Sequence, residues 1–136
     1  MSVLSDIAGF VARSNYGVDQ QRRDLVEQAW VEEGRFEFHL DGEVVRKAEG
    51  RETILSRLDA AWAKGPAGTS RHVITNLWVE HSDDETARVF YYLTLVSGRA
   101  QPPRIIATGV YRDDLVRRDG AWRWRERLLE LDGPIG

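Results

Sequence analysis

Hydrophobic residues repeat at helical spacing through the first part of this chain and at strand spacing through the rest. Ile7, Val11, Ser14 and Val18 fall on one helical face with Phe10 beside them, and Gly17 and Asp19 mark its end. Ser5 is the expected N-cap, with Asp6 favourably placed in the first turn. A second helix is predicted over 22–31, burying Leu25, Ala29 and Trp30. Residues 35–40 read as a strand, and Asp41-Gly42 is a two-residue hairpin turn leading into Glu43-Val44-Val45. A third helix is predicted over 51–63, with Ile54, Leu55, Leu58, Ala61 and Trp62 on one broad face.

Beyond the Gly- and Pro-containing segment 64–70 the period falls to two. Strands are expected over 72–80, 86–96 and 104–116, then an Asp119-Gly120 turn and a last strand over 122–131. Helices first and a long antiparallel meander afterwards define an α+β layout. A long twisted sheet of this kind curls around its three N-terminal helices, giving a cone with an internal pocket. No repeat, linker or low-complexity tract divides the chain, so 1–136 is expected to be a single domain.

Composition narrows the function. The chain is 42% hydrophobic and 30% charged, an ordinary globular balance that argues against intrinsic disorder. A net charge of −3 gives no electrostatic case for nucleic acid or an anionic membrane. No apolar run reaches the length of a membrane span, and a soluble cytoplasmic protein is expected. The absence of cysteine removes disulfides, thiolate nucleophiles and cysteine-ligated metals. The histidines are scattered without metal-ligand spacing, so neither metal nor cofactor is expected. Lysine occurs only at Lys47 and Lys64 among many arginines, a bias that composition attributes to GC-rich coding rather than to function.

Candidate chemistry centres on His72. Simple alternation along 70–80 puts His72, Ile74, Asn76 and Trp78 on one strand face and Val73, Thr75, Leu77 and Val79 on the other. Both faces are mostly apolar, which predicts a sheet covered on both sides. An imidazole there needs a partner, so His72 is either tied down by backbone or lines a cavity. His39 and His81 flank acidic turns and are expected at the surface. Most of the aromatic residues should be core, with some joining Ile54, Leu58 and Phe38 around a pocket for a flat apolar ligand.

Several short motifs occur in order along the chain. They are Gly17-Val18-Asp19 followed by Trp30, Gly50-Arg51-Glu52-Thr53-Ile54, Arg71-His72 through Asn76, Gly109-Val110-Tyr111, and Arg118-Asp119-Gly120-Ala121-Trp122-Arg123 with Arg127. Together they resemble the SnoaL-like branch of the nuclear-transport-factor-like superfamily. That group includes scytalone dehydratase, ketosteroid isomerase, polyketide cyclases and hexachlorocyclohexane dehydrochlorinase. The resemblance covers nearly the whole chain.

The resemblance implies a cofactor-independent lyase or isomerase, of dehydratase or cyclase type, acting on a hydrophobic polyketide- or steroid-like molecule. It implies Asp19 and His72 as the catalytic pair, with the carboxylate orienting the ring and the imidazole moving the proton. It places Ser14, Trp30, Phe38 and Leu58 against the substrate, and Asn76, Tyr92 or Arg127 at a developing oxyanion. Ser14 stands where relatives often carry tyrosine or lysine, and Phe38 where scytalone dehydratase has tyrosine. A homodimer through the outer sheet face is also implied.

The residues alone leave alternatives open. Asp19 serves equally as a helix cap or terminator, His72 as a core histidine, and Arg127 as an ion-pair partner of Glu130 or Asp132. Tyr92 shares a face with Phe90 and Thr94, where it either enters the cavity or packs at its wall. Two non-catalytic functions also stay open. The histidine strand and closing hairpin resemble the small subunit of aromatic-ring-hydroxylating dioxygenases, a scaffold expected to carry a longer N-terminal extension. A domain that binds a small molecule without catalysis would use the same residue types. Finally, segment 64–70 is expected to flank the mouth as a lid, and 97–103 to be a plain connector.

Overall fold

The computed structural model describes residues 2–136. In chain order the elements are α1 (Val3–Asp19), α2 (Arg23–Ala29), β1 (Trp30–Leu40), β2 (Glu43–Glu49), α3 (Arg51–Trp62), β3 (Ser70–Ser82), β4 (Thr86–Ser97), β5 (Arg104–Arg118) and β6 (Ala121–Leu131). The strands form one curved, unclosed sheet in the order β2-β1-β6-β5-β4-β3, with the helices packed on its inner face. The α+β cone is therefore the architecture the sequence predicts. Its sheet is mixed, however: β1 runs parallel to β6, and every other pairing is antiparallel.

Helix boundaries differ from the sequence reading for local reasons. The cap of α1 is Ser2, not Ser5; Ser2 Oγ accepts from the Ser5 amide at 3.1 Å, one turn earlier. Helix α2 stops at Ala29, and Val26 rather than half-buried Leu25 takes its buried position. Trp30 is buried as expected but opens β1, where its ring lies 5.3 Å from that of Trp124. The two Asp-Gly turns hold as predicted. Asp41 and Gly42 have φ of 53° and 78°, and Asp119 and Gly120 have 53° and 77°, the left-handed pair that a tight hairpin needs.

Two irregularities decide which side chains face inward. At Asn76, φ is 57° and the β3–β4 register shifts between Thr75 and Trp78. The extra residue inverts the alternation, so His72 and Ile74 are followed on the inner face by Leu77 and Val79. Asn76 and Trp78 turn outward, which corrects their expected place beside His72. In β6 the register passes from Leu115↔Trp124 to Asp114↔Glu126, leaving Arg125 as the extra residue. That shift brings Arg127, Leu129 and Leu131 into the core in phase with Trp122 and Trp124.

The inner face of β4 is Ala87, Val89, Tyr91 and Leu93, and Tyr92 points outward at 52% exposure. Among the described residues no helix or loop covers the outer face. Val73, Trp78, Tyr92 and Ile105 are exposed there, with the Trp78 ring stacked on Phe90 at 5.3 Å. The expectation of a sheet covered on both sides is corrected accordingly within the single chain.

Candidate active site

The last residue of α1 meets the first turn of β3. Past Asp19 the chain reverses through Gln21, whose φ of 57° is left-handed, and the Arg22 amide donates back to the Gly17 carbonyl at 2.8 Å. A Cβ at Gly17 would lie 2.9 Å from the Leu25 Cβ, so glycine is what permits the close crossing of α1 and α2. This reversal leaves the Asp19 side chain pointing at β3.

Asp19 Oδ1 lies 2.6 Å from His72 Nδ1, and Asp19 Oδ2 accepts the His72 main-chain N–H at 2.9 Å. Both carboxylate oxygens are thus committed to one residue. An acidic side chain in the last turn opposes the helix dipole, and α1 has no basic residue there to offset it. Its position is therefore poor for the helix and useful for the histidine. The ionised carboxylate accepts only, so Nδ1 carries the ring proton and Nε2 keeps its lone pair. With 10% and 14% exposure for the two side chains, the pair is shielded but still reachable.

Asp19 and His72 line a cavity of about 380 Å³ between the helices and the inner sheet face. Buried Trp30, Tyr111, Trp124 and Arg127 form its deep part, and half-buried Phe36, Phe38, Leu58 and Trp62 form its walls. The volume and the dominance of aromatic and aliphatic lining suit a small, flat organic ligand. Of the residues expected against a substrate, Trp30, Phe38, Leu58 and Arg127 line this cavity. Ser14, Asn76 and Tyr92 are not among the lining residues. Ser14 is buried within α1, but that helix reaches the cavity only through Val18 and Asp19 in its last turn. Asn76 is turned away by its bulge, and Tyr92 by the simple alternation of β4.

Arg127 forms a buried polar knot at the cavity floor. Its Nε donates to Asp113 Oδ1 at 3.2 Å and its Nη2 to the Tyr91 hydroxyl at 2.7 Å. Asp113 Oδ2 also accepts from the Tyr91 hydroxyl at 2.5 Å and the Trp124 indole at 2.9 Å. The partner is therefore Asp113, not Glu130 or Asp132. The guanidinium carbon sits 3.9 Å from the Trp124 ring centroid and 4.1 Å from that of Tyr111. Burial opposes its charge, but Asp113 and the tyrosine oxygens outweigh it and raise Arg127 above the ordinary arginine value. Burial likewise pushes Tyr91 and Tyr111 upward, keeping both phenols protonated. Asp113 is also raised by burial, against the pull of Arg127 and its hydrogen-bond donors.

The segment after α3 forms a tethered lip. The Gly68 amide donates to the Asp19 carbonyl at 2.8 Å, and Gln21 Nε2 to the Gly65 carbonyl at 2.8 Å. The Trp62 indole donates to the Val18 carbonyl at 2.9 Å. Gln21, Tyr91 and Asp113 were not singled out from sequence. Tyr91 could have been, since Ala87, Val89, Tyr91 and Leu93 form the more apolar alternate set of β4. His39 is half-buried between Glu37 and Glu130 on the sheet, at 3.1 and 3.4 Å, rather than free at the surface, whereas His81 is exposed. Among the described residues no three His, Asp or Glu side chains gather as metal ligands would, and no helix is long and apolar enough to cross a membrane.

The family described as SnoaL-like domain matches residues 2–128. No protein of curated function matches the sequence. Among solved structures, a protein of unknown function from Mycobacterium tuberculosis is 27% identical, with 96% of this chain and 72% of that one covered and a TM-score of 0.80. A protein from a Streptomyces species is 27% identical over 94% of this chain and 89% of its own, with a TM-score of 0.78. A Novosphingobium aromaticivorans protein assigned as the beta subunit of an aromatic-ring-hydroxylating dioxygenase is 17% identical over 96% and 90%, with a TM-score of 0.81. At that identity the last likeness is one of fold.

Proposed function

This chain belongs to the SnoaL-like domain family, and on that premise we propose that it is an acid–base lyase or isomerase, of dehydratase or cyclase type, for a hydrophobic polyketide- or steroid-like molecule. The observation that carries this reading is the two-point hold of Asp19 on His72 at the wall of an aromatic cavity. His72 Nε2 takes a proton from a carbon next to a carbonyl, and the electron pair moves onto the carbonyl oxygen. Asp19 stabilises the resulting imidazolium. The Arg127 guanidinium at the floor supplies positive potential to the oxyanion, damped by its pairing with Asp113. The imidazolium then returns the proton, either to a departing hydroxyl, which leaves as water, or to another carbon.

A purely structural role would account for the bond of His72 to Asp19, but not for the place of the pair on the wall of an aromatic cavity. A scaffold role as a dioxygenase subunit has only the likeness of fold behind it. The exposed patch around Trp78, Phe90 and Tyr92 supports a homodimer through the outer sheet face. The test of the catalytic reading is exchange of the acidic C–H protons of a flat ketone, β-tetralone, with deuterated water, followed by NMR. The protein should accelerate this exchange well beyond buffer. A folded protein that binds the ketone and leaves its exchange rate at the buffer value would sink the assignment.

A further inference from the structure

The two lysines of the chain, which composition left without a role, both stand on the lining of the cavity. Lys47 comes from β2 and Lys64 from the segment just past α3, and they are joined there by Arg46 and Arg57. All four are exposed, so they mark the mouth, whereas the buried members of the lining mark the floor. Arg57 stands one turn before exposed Ala61 on α3, and Lys64 follows just beyond the helix end. Asp19 is the only acidic residue of the lining, and its carboxylate is spent on His72. This excess of positive charge belongs to a chain whose net charge is −3.

The cations are poorly neutralised. Among the described residues Arg46, Arg57 and Lys64 form no ion pair, and Arg46 instead lies over the Phe38 ring at 5.7 Å. Lys47 meets Glu49 at 2.9 Å, but both side chains are more than half exposed, where such a pair is worth little. A cleft with low-dielectric walls and one sign of charge at its mouth concentrates the opposite charge there. The walls just inside are aromatic and apolar.

We propose that the substrate is an amphiphilic organic acid, whose flat apolar body fills the cavity and whose carboxylate is held at the mouth by Arg57, Lys64 and Lys47. The proposal rests on the pocket reading above and adds the charge and orientation of the ligand. Held by its acid group at the mouth, the molecule keeps its ketone-bearing part free to meet the catalytic pair. It also gives the lip a function that an apolar substrate would not require.

The test compares two probes of nearly equal shape, naphthylacetate and naphthylacetamide, titrated against tryptophan fluorescence at low and high salt. The acid should bind about tenfold more tightly at low salt, with the gap closing at high salt. In a Lys47→Gln/Arg57→Gln/Lys64→Gln variant the acid should fall to the affinity of the amide, while amide binding stays unchanged. Equal affinity of the two probes for the wild type would overturn the lip assignment and leave the acid–base reading intact. A preference that survives in the triple variant would also overturn it, by placing the carboxylate elsewhere in the cavity. Failure of both probes to bind would remove the proposal together with the apolar pocket on which it depends.

Discussion

Asp19 holds His72 through ring and backbone at once, at 2.6 Å to Nδ1 and 2.9 Å to the main-chain nitrogen. The second bond fixes where β3 begins relative to the end of α1, and the first fixes the tautomer of the ring. An Asp19→Asn change keeps the shape but loses the charge and admits the wrong tautomer. Its proton-transfer rate should fall by roughly 10²–10⁴-fold with little change in ligand affinity. In nitrogen-15 NMR the neutral wild-type ring should carry its proton on Nδ1. A spectrum showing the proton on Nε2 would contradict this geometry.

The Arg127–Asp113 pair should behave as a buried ion pair in a network. Arg127→Met leaves Asp113 with no cation, although Tyr91 and Trp124 still donate to it. A loss of about 3–5 kcal/mol in unfolding free energy is expected, because an unpaired buried carboxylate remains. The Arg127→Met/Asp113→Leu double variant should recover part of that loss. Denaturant titration of the three proteins measures it, and additive losses would show that the two residues are not coupled.

The bulge at Asn76 makes a prediction about stability alone. Its φ of 57° suits glycine and asparagine, and costs about 1–2 kcal/mol for a residue with an ordinary Cβ. Asn76→Gly should therefore be nearly neutral and Asn76→Val destabilising, with the proton-exchange rate unchanged in both. A loss of activity at constant stability would return Asn76 to the site.

That residue also shows where sequence reading stops. The periods of Ile7, Val11 and Val18, the Asp-Gly turns and the motif order made the fold legible, while Asp19 and His72 were legible as a pair only through the family resemblance. Alternation then failed at one inserted residue, because a bulge changes faces without changing hydrophobicity. The same mechanism at Arg125 turned Arg127 inward, where its partner Asp113 is remote in sequence and unmarked by any local pattern. Tyr92 was misplaced for another reason: Tyr91 and Tyr92 are chemically alike, and only the neighbouring apolar set separates their faces.

The contact of Glu33 with Arg118 predicts a pH dependence of stability. Two hydrogen bonds, at 2.8 and 2.7 Å, join β1 to the tip of the closing hairpin. The Arg118 hydrogen bond holds the Glu33 carboxyl at about 2, against an ordinary value of 4.5. A depressed folded-state value contributes stability above the unfolded value and loses it as pH falls through the folded one. The stability difference between wild type and Glu33→Gln should thus be constant above 4.5 and shrink toward 2. Both groups are exposed, so the difference should be small and weaker at high salt. A difference that grows as pH falls would contradict the assignment.

The most direct test of the account is the rate of proton exchange of β-tetralone in deuterated water catalysed by His72→Gln beside the wild type, with ketone affinity measured on both. Glutamine keeps a polar side chain at the position but cannot take a proton. The account predicts a fall of at least about 10²-fold in the exchange rate with affinity and thermal unfolding retained. A folded His72→Gln protein that exchanges the ketone at the wild-type rate would contradict it.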